Sequence, residues 1–345
     1  MDTNRLVQCS TFLALTVFFA CSAPKFATKP SLETSTKDSA RATSLGEFEL
    51  QRQGKDRKIG MSQFRRKALD IAYTTAKNPR QVLDIIYPDT GAAPYKCIVV
   101  FHGGGWAYGS KQSETVAPIF QAISQGYAVV SVDYRLADEV TWPKPLHDAK
   151  AAIRYVRANA FRHLLDATNI VVWGVASGGH LAEMLAATNN QPGFEDLALG
   201  NPFTSSAVQG VVAWYPVSDI SELPDAMSAA AGKIMGVNVK DNKTQLREMN
   251  PVELVTKDFP PILLVHGTKD QLIPFSQSVS MQQKVNEATG KMIATLRRIE
   301  GAVNGDPQIK SPESFSQDLD FVDRILFAGK NPHRQRNYIS INLDQ

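Results

Sequence analysis

Hydrophobic and polar positions alternate from Val82 to Tyr87 and the pattern stops at Pro88, which predicts a half-buried strand. Continuous apolar runs follow at Cys97–Phe101, Tyr127–Val132, Ile170–Trp173, Gln209–Tyr215 and Ile262–His266, with a last strand over Thr295–Ile299. Between them the period changes. Ala149, Ala152, Ile153 and Val156 share one face of a helix over 148–159, with Arg154 and Arg157 off that face. Leu181–Ala187 reads as a second helix. Phe315, Leu319, Val322 and Leu326 stripe a closing helix over 314–327. The stretches 190–206 and 221–249 read as longer connections, loops or short helices above the sheet edge. Buried-type strands alternating with helices predict an α/β fold: a mostly parallel sheet covered on both faces.

The pattern at the N-terminus is different. Leu6–Ala20 is an apolar run of fifteen residues, short of the ~20 a membrane span needs and suited to the core of an export signal. Arg5 is offset by Asp2. Residues 22 to about 60 are rich in Lys, Ser, Thr and Pro without an apolar period, the composition of a tether. The expected organisation is therefore a signal over 1–20, a tether over 21–60, a folded body over 61–330 and a tail over 331–345. Phe18-Phe19-Ala20-Cys21 resembles a bacterial lipobox, departing from it at Phe18 where leucine is usual. That resemblance implies lipidation of Cys21 and membrane attachment through the lipid alone. Plain secretion with cleavage after Ala23 is the rival, with Pro24 following the cut, and an uncleaved anchor is a third reading.

The chain's formal charge of +3 sits entirely in this segment: residues 1–60 hold nine bases and six acids, and residues 61–345 hold 28 of each. A neutral body without a basic face argues against a nucleic-acid partner. The three cysteines, Cys9, Cys21 and Cys97, suffice for neither a disulfide framework nor a cysteine zinc cluster. Cys97 lies in an apolar run and reads as a buried small hydrophobe. None of the six histidines has a ligand spacing such as His-x-x-x-His, and no dinucleotide fingerprint follows the first strand, so no metal or cofactor is expected.

Parallel sheets carry their chemistry at the C-terminal ends of strands, and four such ends stand out. His102-Gly103-Gly104-Gly105-Trp106 places three glycines after a strand, where backbone N–H groups can turn inward as oxyanion donors. A plain glycine turn is the bland alternative. Gly174-Val175-Ala176-Ser177-Gly178-Gly179-His180 occupies the strand–turn–helix position of a Gly-x-Ser-x-Gly nucleophile elbow, with alanine at its centre. His266-Gly267-Thr268-Lys269-Asp270 supplies an acid next in chain order, where a turn aspartate is the bland alternative. Gly301 to Pro307 follows the last strand, where a general base belongs, and its matching residue is Asn304.

On these segments, together with Val132–Leu136 and His147–Ala152, the chain resembles the α/β-hydrolase esterases, close to the group that includes bacterial feruloyl and acetyl-xylan esterases. The resemblance covers about Leu69 to Phe327. It implies an α/β-hydrolase fold, with Ala176 at the nucleophile position, Asn304 at the base position, Asp270 as the retained acid, and Gly104, Gly105 and the Ser177 N–H as oxyanion donors. Alanine offers no nucleophilic atom, and the asparagine amide has no usefully basic lone pair. Losing one triad member costs ~10⁴–10⁶ in kcat. The expectation is thus an exported esterase homologue without catalysis, able to bind a small ester or carbohydrate ligand or a partner. The alternative is an active carboxylic-ester hydrolase using Ser177, displaced by one residue, on small acyl or carbohydrate esters. A purely structural surface protein is the third reading. Arg135 is expected to pair with Asp148, and Asp219 to brace a loop.

Overall fold

The computed structural model describes residues 57–239, 241–327 and 341–344. The expected export signal, Cys21 and most of the tether lie outside the described residues. Among the described residues there are ten strands: β1 (Lys58–Ile59), β2 (Lys67–Ala72), β3 (Val82–Ile86), β4 (Tyr95–Phe101), β5 (Ala128–Val132), β6 (Leu165–Val175), β7 (Gly210–Trp214), β8 (Ile262–Gly267), β9 (Ala294–Ile299) and β10 (Leu343–Asp344). Eight form one sheet in the order β2-β3-β5-β4-β6-β7-β8-β9. The pairs β2–β3 and β3–β5 are antiparallel. From β5 through β4 to β9 every pair is parallel. Helices α1 (Lys144–Ala158), α2 (Ser177–Ala187), α3 (Asp225–Met235), α4 (Lys243–Met249), α5 (Pro251–Leu254), α6 (Ser276–Thr289) and α7 (Pro312–Leu326) connect and cover it. This is an α/β-hydrolase architecture.

The continuous apolar runs reflect a sheet buried twice over. Along a strand, successive side chains go to opposite faces. Cys97, Val99 and Phe101 of β4 join Val130, Val172, Val211 and Leu264 in one core, sealed by Leu146 and Ile153 of α1, Leu185 of α2 and Met281 of α6. Ile98 and Val100 join Val129, Trp173, Val212 and Val265 in the other, sealed by Ile119 and Phe120 of a 3₁₀ helix (Ala117–Gln125) and by Phe315, Leu319 and Val322 of α7. Trp173 stacks on Phe315 at 5.4 Å and meets Trp214 edge-on at 5.3 Å. Cys97 is buried as expected, and desolvation pushes its thiol up to about 12.

Two stretches differ from the boundaries expected from composition. Lys58–Ile59 falls within the span read as tether, and Leu343–Asp344 within the span read as tail. They pair antiparallel with each other, and Ile59 is buried in the second core. Structured residues therefore flank the 61–330 body on both sides.

Candidate active site

The strand ends of β4, β6, β8 and β9 bring their loops to one cleft. Its lining includes Gly103, Gly104, Gly105, Ala176, Leu272, Ile273, Asn304 and Lys310. It encloses about 40 Å³, well below the ~300 Å³ and more typical of sites for drug-sized ligands.

The elbow between β6 and α2 is intact in its backbone. Ala176 has φ 50° and ψ −113°, the strained turn of a nucleophile residue. Its N–H donates to the Trp214 carbonyl at 3.0 Å, and its carbonyl accepts from the His180 N–H at 3.0 Å. The flanking glycines are required by space. A β-carbon on Gly174 would lie 2.1 Å from the Gly178 oxygen, and one on Gly178 would lie 2.2 Å from the Phe101 oxygen. Ala176 is half-buried and lines the cleft. Ser177 does not. Its side chain is fully buried, its hydroxyl has no hydrogen-bond partner among the described residues, and it lies beside the Tyr134 hydroxyl. As the first residue of α2, Ser177 has an N–H without a partner inside the helix.

The glycine turn after β4 is folded back on itself. Gly104 has φ 115°, and a β-carbon there would lie 2.3 Å from the Tyr108 oxygen. Its carbonyl accepts from the Ala107 and Tyr108 N–H groups at 3.1 and 3.0 Å. The N–H groups of Gly104 and Gly105 enter no hydrogen bond among the described residues. His102 braces this turn. Its Nδ1–H donates to the Gly103 carbonyl at 2.7 Å, its ring stacks on Tyr134 at 4.4 Å, and the Tyr134 hydroxyl donates to the His102 carbonyl at 2.8 Å. Burial drives the imidazole down to about 3, so it is neutral. Its Nε2 is 3.8 Å from Asp133, too far for a hydrogen bond.

Asp270 and Asn304 meet. The Asn304 Nδ2–H donates to Asp270 Oδ2 at 2.8 Å. Asp270 Oδ1 accepts from the Leu272 and Ile273 N–H groups, both at 2.9 Å. The loops carrying the two residues are clasped: the Thr268 N–H donates to the Ile299 carbonyl at 3.1 Å, the Lys269 N–H to the Ala302 carbonyl at 2.9 Å, and the Gly301 N–H to Thr268 Oγ1 at 2.9 Å. The amide of Asn304 thus makes the hydrogen bond to the acid that an imidazole N–H would make there. Asp306, two residues on, accepts from the Gln308 N–H at 2.9 Å and belongs to a turn.

The remaining imidazoles near these loops have structural partners. His180 Nε2–H donates to the Met249 carbonyl at 2.8 Å, while Nδ1 accepts from Trp106 Nε1–H at 3.3 Å. Burial drives it down to about 4. His266 donates to the Ile273 carbonyl at 2.9 Å and accepts from Ser278 at 2.7 Å. Neither residue lines the cleft. Arg135 forks onto Asp148 at 2.8 and 2.7 Å, and Asp219 caps a turn by accepting from the Ser221 N–H at 2.9 Å.

The BD-FAE family model matches residues 83–285, more than half of the chain. The chain belongs to the BD-FAE family. Family relatives agree. Esterase LipC of Mycobacterium tuberculosis is 28% identical over 232 residues, 66% of this chain and 57% of LipC. The chain spans about half the length of the curated relatives it matches. Among solved structures, a truncated carbohydrate esterase from gut microbiota is 27% identical with a TM-score of 0.70, covering 78% of this chain and 99% of that one. A bifunctional GH43-CE protein of Bacteroides eggerthii is 29% identical with a TM-score of 0.69, over 75% of this chain and 35% of its own. The chain belongs to an α/β-hydrolase esterase family, and its strand-end loops bring Gly104, Gly105, Ala176 and Asn304 to one cleft. Sequence reasoning did not find Lys310 or Thr115 on the cleft wall. Neither belongs to a motif, and only the folding back of two loops brings them there.

Proposed function

We propose that this chain is an exported, lipid-tethered member of the esterase family that has lost hydrolysis and kept a binding cleft. The observation that carries the reading is the pairing of Asn304 with Asp270 at 2.8 Å across the cleft wall that also holds Ala176 in the elbow conformation. Two members of one mechanism are replaced while the frame around them is kept. Acyl transfer needs an oxygen or sulfur at position 176 to attack the carbonyl, and a lone pair near neutral basicity at position 304 to take its proton. Alanine and asparagine supply neither. Oxyanion donors alone leave roughly 10³-fold over water, too little for useful turnover. Export and lipidation at Cys21 follow from the apolar run Leu6–Ala20 and the residues around the cysteine.

The rival reading, an active hydrolase using Ser177, has to bring a buried hydroxyl into the cleft and find it a base. His102, His180 and His266 are each engaged elsewhere. The test is p-nitrophenyl acetate turnover by the purified chain beside Ser177→Ala. Background rates in both are expected. Turnover that disappears in Ser177→Ala would establish the displaced nucleophile instead.

A further inference from the structure

The cleft has a positive charge on its wall that a neutral ester would not pair. Lys310 is the one lining residue that carries a charge near neutral pH. Among the described residues no carboxylate forms an ion pair with it. Asp270 stands behind the wall with both oxygens occupied, by Leu272, Ile273 and Asn304. The glycine turn contributes the unused N–H groups of Gly104 and Gly105, and α2 contributes that of Ser177. Gly104 at φ 115° and Gly105 at φ 59° turn the backbone here. Thr115 adds a hydroxyl that is buried, lines the cleft and has no hydrogen-bond partner among the described residues. The remaining lining includes Tyr215 and the apolar side chains of Val175, Met227, Leu272 and Ile273.

Resting on the inactive reading above, we infer that the cleft is a receptor for a small monocarboxylate anion. Donor amides and one lysine face a group that carries a full negative charge, and the apolar walls take a short hydrocarbon. The small volume, about 40 Å³, suits a carboxylate and its first carbons. Charge-assisted hydrogen bonds are roughly twice as strong as neutral ones, so an acid gains from Lys310 and the amides what its neutral ester cannot.

The test titrates the purified full chain by calorimetry with propionate and with methyl propionate at equal ionic strength, and assays methanol release in parallel. Saturable propionate binding is expected, with the methyl ester at least ~10-fold weaker, a gap of one decade in Kd. Lys310→Met should weaken propionate by at least ~10-fold, whereas Lys310→Arg, which keeps the charge, should retain it. Equal affinity for acid and ester, no saturable propionate binding, or a Lys310→Met variant that binds as the wild type would overturn the receptor assignment. If the ester stays intact in those experiments, the inactive reading stands without it. Methanol release by the wild type would sink the inactive reading, and the receptor role with it.

Discussion

An asparagine at position 304 keeps one of the two things an imidazole would do there. Its Nδ2–H holds the Asp270 carboxylate at 2.8 Å, so the acid remains satisfied and the loop keeps its place. What it lacks is the second nitrogen's basic lone pair. Ala176 is similar: the residue keeps φ 50° without a nucleophile to present. A non-glycine residue in this region costs ~1–3 kcal/mol, and here the surrounding glycines and the bond to Trp214 impose it. The sequence sets both residues at strand ends among recognisable flanking residues, and the structure brings them to one cleft. The roles of His102 and His180 are set in three dimensions, because a histidine's role depends on which nitrogen meets which partner. Burial lowers His180 to about 4 and His102 to about 3. An unfolded histidine titrates near ~6.5. Between the folded and unfolded values the unfolded chain holds more protons, so these groups favour folding fully above pH ~6.5 and lose that contribution as pH falls. Asp133, raised by burial to about 6, acts in the opposite sense. A difference measurement isolates His180. The stability gap between wild type and His180→Gln, from urea denaturation, should shrink by up to about 1.4 kcal/mol per pH unit between pH ~6.5 and ~4. A gap constant with pH would show that His180 titrates in the fold as it does in the unfolded chain.

At the scale of elements, the strands of the parallel core were the most legible part, because burial on both faces writes a continuous apolar run. The edge strand β2 was not, since none of Lys67–Ala72 is buried and the run KALDIA shows no clean alternation. Helix α6 escaped for a different reason. Its buried residues are Gln277, Ser278, Met281 and Val285, and Gln277 faces inward to accept from the N–H groups of Ser218 and Asp219 at 2.8 and 2.7 Å. A polar residue satisfied inside the fold hides a helix from a hydrophobic count. The junction of β6 and α2 is the tightest element contact near the cleft. Gly178→Ala would drive a methyl into the Phe101 and His102 carbonyls, at 2.2 and 2.4 Å. Those are backbone atoms that cannot swing aside. The substitution should cost at least ~2 kcal/mol, read as a drop in the urea midpoint. A neutral result would mean that the strand–helix junction is looser than the glycine contacts require.

On the scale of the whole molecule, four loops from four parallel strands converge because a parallel sheet sends every strand end to the same edge. The chain order of elbow, acid and base position therefore carried the site into view before any coordinates. The cleft's cationic character did not follow from order, since Lys310 lies six residues beyond Asn304 and reaches the cleft only through the turn at 305–311. The closure of the body by β1 against β10 joins positions 58–59 to 343–344, a separation that no local pattern encodes. Under the proposed function, two side chains separate this molecule from a working esterase. The most direct measurement is p-nitrophenyl acetate hydrolysis by Ala176→Ser/Asn304→His, beside each single substitution and the wild type. The double variant should turn over at least ~10³-fold faster than wild type, with both single variants near background, because triad members act as a unit. Turnover by the wild type itself, or a double variant as inert as the wild type, would contradict it.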